Sequence, residues 1–189
     1  MAQPGLLFPH DELNGNEVMI DYLEDNRRRL KQAMAEMDEL SLHWQPTPTS
    51  NSIAVTIWHM GRLMDVFLTQ LVQGESSTKE QWFSQGWVER TGYNPSGLGK
   101  EGWGSVNGYT AEQVAAIPRL TKEQLLGHLD EVYDSMRAFI EATPMRDLTE
   151  PAPGLGGHYT KFQVLSMVLI DNVRHLGEIY TLQALWERG

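Results

Sequence analysis

The sequence predicts an all-α fold, an up-down four-helix bundle with a long aromatic- and glycine-rich connection between the second and third main helices. Four long stretches carry apolar residues at three- and four-residue spacing. No run of Val, Ile and Thr alternates with polar residues over the length of a strand. Cap residues and Gly or Pro stops punctuate the stretches. Amphipathic helices must bury their stripes against one another, and a bundle is the simplest arrangement that does so.

The first helix is expected over residues 16–38, capped by Asn16, with Met19, Leu23, Leu30, Met34 and Met37 on one side. The second is expected over 51–73. It starts from Ser50 or Asn51, stops at Gly74, and aligns Ile53, Ile57, Met60, Met64, Phe67 and Leu71. The third covers 121–142, with Thr121 and Gln124 as a capping box and Pro144 beyond its end. The fourth covers 161–187, with Thr160 and Gln163 in the same relation. A short helix from Thr110 to Ile117 precedes Pro118.

Between the second and third helices, residues 75–109 hold seven glycines together with Trp82, Trp87, Tyr93, Trp103 and Tyr109. So many aromatic rings argue against a disordered segment. The connection reads either as padding at one end of the bundle or as a lid with Trp82, Trp87 and Trp103 beside a substrate pocket. The chain as a whole, 1–189, reads as one domain.

Composition narrows the function. The formal net charge of −10 opposes nucleic-acid binding, which needs a basic face toward phosphates. The chain has no cysteine, so disulfides, thiolate ligands and a cysteine nucleophile are all excluded, in keeping with a reducing, cytoplasmic setting. Residues 1–15 contain no Lys or Arg and do not read as a signal peptide. The apolar stretches around 53–72 and 164–185 are interrupted by charged residues, so no membrane span is expected. G-x-S-x-G, P-loop and dinucleotide-binding motifs are absent.

The fourth helix contains Asp171-Asn-Val-Arg-His175-Leu-Gly-Glu178. Asp171 and His175 lie four apart and stack on one face, which Glu178 continues and which Val164, Val168 and Leu182 turn inward. A carboxylate on an apolar row needs a partner, and a divalent metal is one that imidazole and carboxylate can share. The second helix adds Trp58-His59-Met60-Gly61-Arg62. Taken alone, His59 reads as a hydrogen-bonded core histidine, and Asp171 as a partner of Arg174 or His175. His10, His43, His128 and His158 lack partners at ligand spacing, and His128 is expected near the helix surface.

Two segments carry a family resemblance. Asn51-Ser-Ile-Ala-Val-Thr-Ile-Trp-His59 resembles the second-helix signature of the DinB-like helical bundles, and His175-Leu-Gly-Glu178-Ile resembles the end of their last-helix signature. In metal-binding members one second-helix histidine joins an H-x-x-x-H pair of the last helix. Here Asp171 stands at the first histidine of that pair.

The resemblance implies a divalent ion (zinc, nickel or iron) held by His59, Asp171 and His175. It also implies a metal-dependent enzyme, an S-transferase or isomerase using an external low-molecular-weight thiol such as mycothiol or bacillithiol, or a hydrolase. Glu178 would support the site or accept a proton, and Arg62 would orient an anionic group of a small-molecule substrate. A homodimer is expected. The alternative is a non-catalytic bundle with a degenerate metal site, acting as a small-molecule-binding or dimeric interaction protein.

Overall fold

The computed structural model describes residues 14–189. His10 and most of the segment read for a leader lie outside them. Four long helices dominate: α1 (Gly15–Ala35), α2 (Ile53–Val66), α3 (Lys122–Ala142) and α4 (Lys161–Arg188). The α2 rod runs on through Phe67–Val72 as a π-helical stretch. No strand forms among the described residues, only two isolated bridges. No helix among them is long and apolar enough to cross a membrane.

The caps explain where the helices begin. Thr121 and Thr160 accept from the backbone N–H of Gln124 and Gln163 in the expected capping boxes. At α1 the cap is Asn14 rather than Asn16. Asn16 instead donates to the carbonyls of Ile140 and Thr143, both at 2.7 Å, and so satisfies the open end of α3. Ser52, not Ser50 or Asn51, caps α2. The first helix stops at Ala35, because Asp38 caps a separate short helix, Glu39–His43.

Side-chain pairings give the helix directions and correct one expectation. Asn16 meets Ile140, Arg27 meets Asp130, and Lys122 meets the Met34 carbonyl, so α1 and α3 are antiparallel. Thr56 meets Glu178 and Met64 meets Asn172, so α2 and α4 are antiparallel. Ala54 shares a small cavity with Leu120, while Gly61 lies against His128, so α2 and α3 run parallel. The order is therefore up-down-down-up, not strict alternation. The physical reason is the length of the 73–120 connection: it carries the chain back to the starting end of α2 before α3 begins.

The core runs through all four helices, with Leu23, Leu30, Ile57, Met64, Val132, Met136, Val164 and Ile179 fully buried. At Gly61 α2 packs tightly on α3: a Cβ there would lie 2.9 Å from Nδ1 of His128. The 75–109 connection is ordered by short helical turns at Ser77–Lys79, Gln81–Ser84, Trp87–Thr91 and Lys100–Gly102. Its aromatics pack inward, Trp82 edge-on to Trp58 and stacked at 6.2 Å on Trp87.

Candidate metal centre

Antiparallel packing of α2 on α4 sets His59 opposite the Asp171–His175 turn. His59 Nε2 lies 3.8 Å from Asp171 Oδ2, and His175 Nε2 lies 3.3 Å from the same oxygen. The two imidazoles meet edge to face at 4.8 Å between centroids. One donor atom from each residue falls within 4.8 Å of the others. A zinc-like ion with ligands at ~2.0–2.2 Å spaces tetrahedral donors by about 3.3 Å. The two distances to Asp171 are near that value.

The remaining ring nitrogens are also engaged. His59 Nδ1 hydrogen-bonds the backbone carbonyl of Ser105. His175 Nδ1 donates to Glu178 Oε2 at 2.8 Å, and Glu178 is steadied by the Thr56 hydroxyl at 3.4 Å. In both residues an oxygen sits within hydrogen-bonding distance of Nδ1, and Nε2 faces Asp171 Oδ2. That arrangement fixes the tautomer a metal requires and raises ligand basicity.

Electrostatics separates the two histidines. Burial pushes His59 below the ordinary imidazole range, against the pull of the Ser105 carbonyl, so it is neutral and ready to ligate. Hydrogen bonding to Asp171, helped by Glu178, lifts His175 above that range in spite of partial burial. The same bond holds Asp171 below the usual carboxylate range. The His175–Asp171 bond thus balances the Asp171 charge within the chain, and a divalent ion would answer it for all three groups.

The triad opens onto a cavity of about 650 Å³. Leu63 and Phe67 of α2, Met167, Val168 and Ile170 of α4, and Val106 of the connection give it apolar walls, while Asn51, Asn107 and Arg174 add polar groups. The connection therefore reaches the site, but through Ser105, Val106 and Asn107. None of Trp82, Trp87 and Trp103 lines this cavity. Trp82 and Trp87 are buried beside His128, and Trp103 packs on Phe67 at 5.8 Å.

Arg62 is likewise elsewhere. It is 1% exposed and bonds Asp65, Glu80 and the carbonyls of Trp103 and Gly104, so no free guanidinium faces the cavity. Helical spacing alone could not show this, since His59 and Arg62, three residues apart, share a face. His128 is buried at 2% exposure, not near the surface, because Gly61 lets α3 close onto α2 around it. Ser105 was invisible to sequence reasoning, because it acts through a backbone carbonyl that any residue supplies.

A helical bundle with a two-histidine, one-carboxylate cluster facing a cavity defines the class: a four-helix protein with a group between α2 and α4 that could hold a metal ion. Residues 22–179 match the DinB superfamily, and the chain belongs to it. A solved structure described as the conserved protein of locus from Enterococcus faecalis superposes with a TM-score of 0.75 at 18% identity. The match covers 92% of this chain and 98% of that one. No curated protein matches the chain.

Proposed function

We propose that this protein is a divalent-metal-dependent enzyme of the DinB superfamily, with His59, Asp171 and His175 as the ligands. The observation that carries the reading is the shared orientation of the two histidines, each with Nδ1 on an oxygen and Nε2 toward Asp171. A core histidine pair needs no such common focus. Three protein ligands leave coordination positions open, as catalytic sites do and closed structural sites do not. The 650 Å³ cavity supplies the place a substrate would reach them.

A metal held there supplies Lewis acidity, lowering the pKa of a thiol or water brought to it. The chain has no cysteine, so a thiol nucleophile must come from a small molecule. Apolar walls from Leu63, Phe67, Met167 and Ile170 exclude water from a bound organic group, while Asn51, Asn107 and Arg174 orient its polar end. Glu178 keeps His175 aligned and, being half exposed, can pass a proton to solvent.

The test is elemental analysis of protein purified without chelator or nickel resin, and again after incubation with zinc, iron, nickel and manganese. About one ion per chain is expected, falling to none in a His59→Ala, His175→Ala double variant. A stoichiometry near zero in the wild type would leave the non-catalytic reading, a bundle that binds a small molecule or a partner without metal.

A further inference from the structure

The connection touches α2 at three consecutive carbonyls. Trp103 O accepts from Arg62 Nη2 at 3.0 Å, Gly104 O accepts from Arg62 Nε at 3.3 Å, and Ser105 O receives His59 Nδ1. His59 and Arg62 are three residues apart and so lie on neighbouring turns of one helix face. The remaining donors of Arg62 go to Glu80 Oε2 at 2.7 Å and Asp65 Oδ2 at 3.2 Å. A buried arginine beside two carboxylates could satisfy its fork on them alone. This one divides its fork between the carboxylates and the 103–104 backbone.

That backbone carries left-handed geometry at two positions. Gly104 has φ 62° and Val106 has φ 72°. Left-handed geometry at a β-branched residue is strained and persists only where the surroundings impose it. No regular element runs through 103–107. Backbone bonds tie the segment to its own loop: Trp103 N–H on Lys100 O at 3.1 Å, Gly104 N–H on Leu98 O at 2.9 Å, Lys100 N–H on Asn107 O at 2.7 Å and Tyr109 N–H on Val106 O at 2.9 Å. Arg62 is the side chain that ties its Trp103 and Gly104 carbonyls to α2. Freed from Arg62, the Val106 strain would draw the Ser105 carbonyl away from His59, and the ring would lose the bond that fixes its tautomer.

We propose that Arg62 is a positioning residue for the metal centre. By holding the Trp103 and Gly104 carbonyls it sets the Ser105 carbonyl on His59 Nδ1, and so keeps His59 Nε2 turned toward Asp171 and His175. The proposal rests on the metal-centre reading for its consequence, but its geometric core concerns the metal-free protein as well. It also explains why an internal arginine, rather than a lysine, stands here: an ammonium cannot span two carboxylates and two carbonyls in one plane.

The experiment is R62K in the full chain, which keeps a cation for Asp65 and Glu80. Two measurements are made on protein whose helicity matches wild type by circular dichroism. In metal-free protein, nitrogen chemical shifts of His59 should show a single tautomer protonated at Nδ1 in wild type and a mixture in R62K. Zinc affinity, by competition with a chromophoric chelator, should fall about 10-fold or more in R62K, the usual effect of losing an outer partner of a ligating histidine.

Should R62K not fold, G104A carries the test. A Cβ at Gly104 would sit 2.4 Å from the Pro95 carbonyl oxygen, so the segment must shift while the Asp65 and Glu80 pairings stay. The same tautomer mixture and affinity loss are expected. An unchanged His59 tautomer in a folded variant overturns the proposal. Wild-type protein that shows the single tautomer yet binds no zinc would sink the metal reading and leave the positioning of His59 to be judged on the shifts.

Discussion

His59 and Arg62 stand one turn apart on α2, yet the polar clusters around them are resolved in opposite ways. Around Arg62 the charges are answered within the chain. Its fork meets two carboxylates and two carbonyls, Asp65 accepts the backbone N–H groups of Gln81 and Trp82, and Glu80 also takes the Gln70 amide. Around His59 the outward nitrogens meet oxygens, and the inward atoms of His59, Asp171 and His175 gather beside a cavity with only one another and Arg174 for partners. A buried charge with all its partners specifies structure, whereas a cluster open to a cavity leaves room for a further partner. The two clusters share a helix, so composition and spacing cannot tell them apart, but the partners can.

The largest expected effect breaks the closed cluster. Arg62→Leu strands Asp65 and Glu80 in the interior and should cost roughly 3–5 kcal/mol in urea unfolding. Burial already pushes Glu80 above the ordinary carboxylate range in spite of Arg62, and removing the arginine leaves that cost unopposed. The contrast is His175→Ala, which should abolish metal binding yet change metal-free stability by no more than about 1 kcal/mol, since its ion pairs are partly solvated. Equal stability losses in the two variants would erase the distinction.

A second prediction separates the clusters by pH. His128, against Asp65, is held below the ordinary imidazole range by burial. A folded pKa below the unfolded value of about 6.5 means the unfolded chain takes up the proton first, so stability is lost as pH falls below about 6.5. Each such group contributes a slope of up to ~1.4 kcal/mol per pH unit. His128→Gln should flatten the fall in stability between pH 7 and pH 5. His175 shifts the other way, so in metal-free protein its ring should titrate above that of His128 by nuclear magnetic resonance. The reverse order would contradict the assigned environments.

Smaller effects sharpen the open cluster. Glu178→Gln keeps a hydrogen-bond acceptor for His175 but removes its charge, and zinc affinity should drop toward the lower end of the 10- to 100-fold range for such partners. Asp171→Asn should lower affinity further, because it removes a ligand charge. Val106→Gly should alter stability by less than about 1 kcal/mol, since relief of the left-handed backbone offsets the lost side-chain contact and added chain entropy. Thermal unfolding monitored by circular dichroism is sufficient to read it.

The three candidate ligands were legible in sequence for a definite reason. Asp171 and His175 lie on one helix face by spacing alone, and His59 sits in a segment with a recognisable family pattern. The tryptophans misled because bulk and flanking glycines suit a pocket wall and a satellite core equally well. Trp82 and Trp87 chose the core, around His128. Arg62 misled for the opposite reason: its partners Glu80, Trp103 and Gly104 lie 18 to 42 residues away.

By itself the sequence determined the four helices, their caps to within a few residues, the apolar stripes and the identity of the three candidate ligands. Those follow from local periodicity, from short-range hydrogen bonding at helix ends and from residue chemistry. The tertiary structure alone decided that α2 and α3 run parallel, that His128 is buried, and that the Ser105 carbonyl meets His59. Each of these depends on how a 48-residue path from 73 to 120 folds back across the bundle. Contacts between residues so far apart in sequence are set by packing and backbone direction, neither of which is written in any one segment.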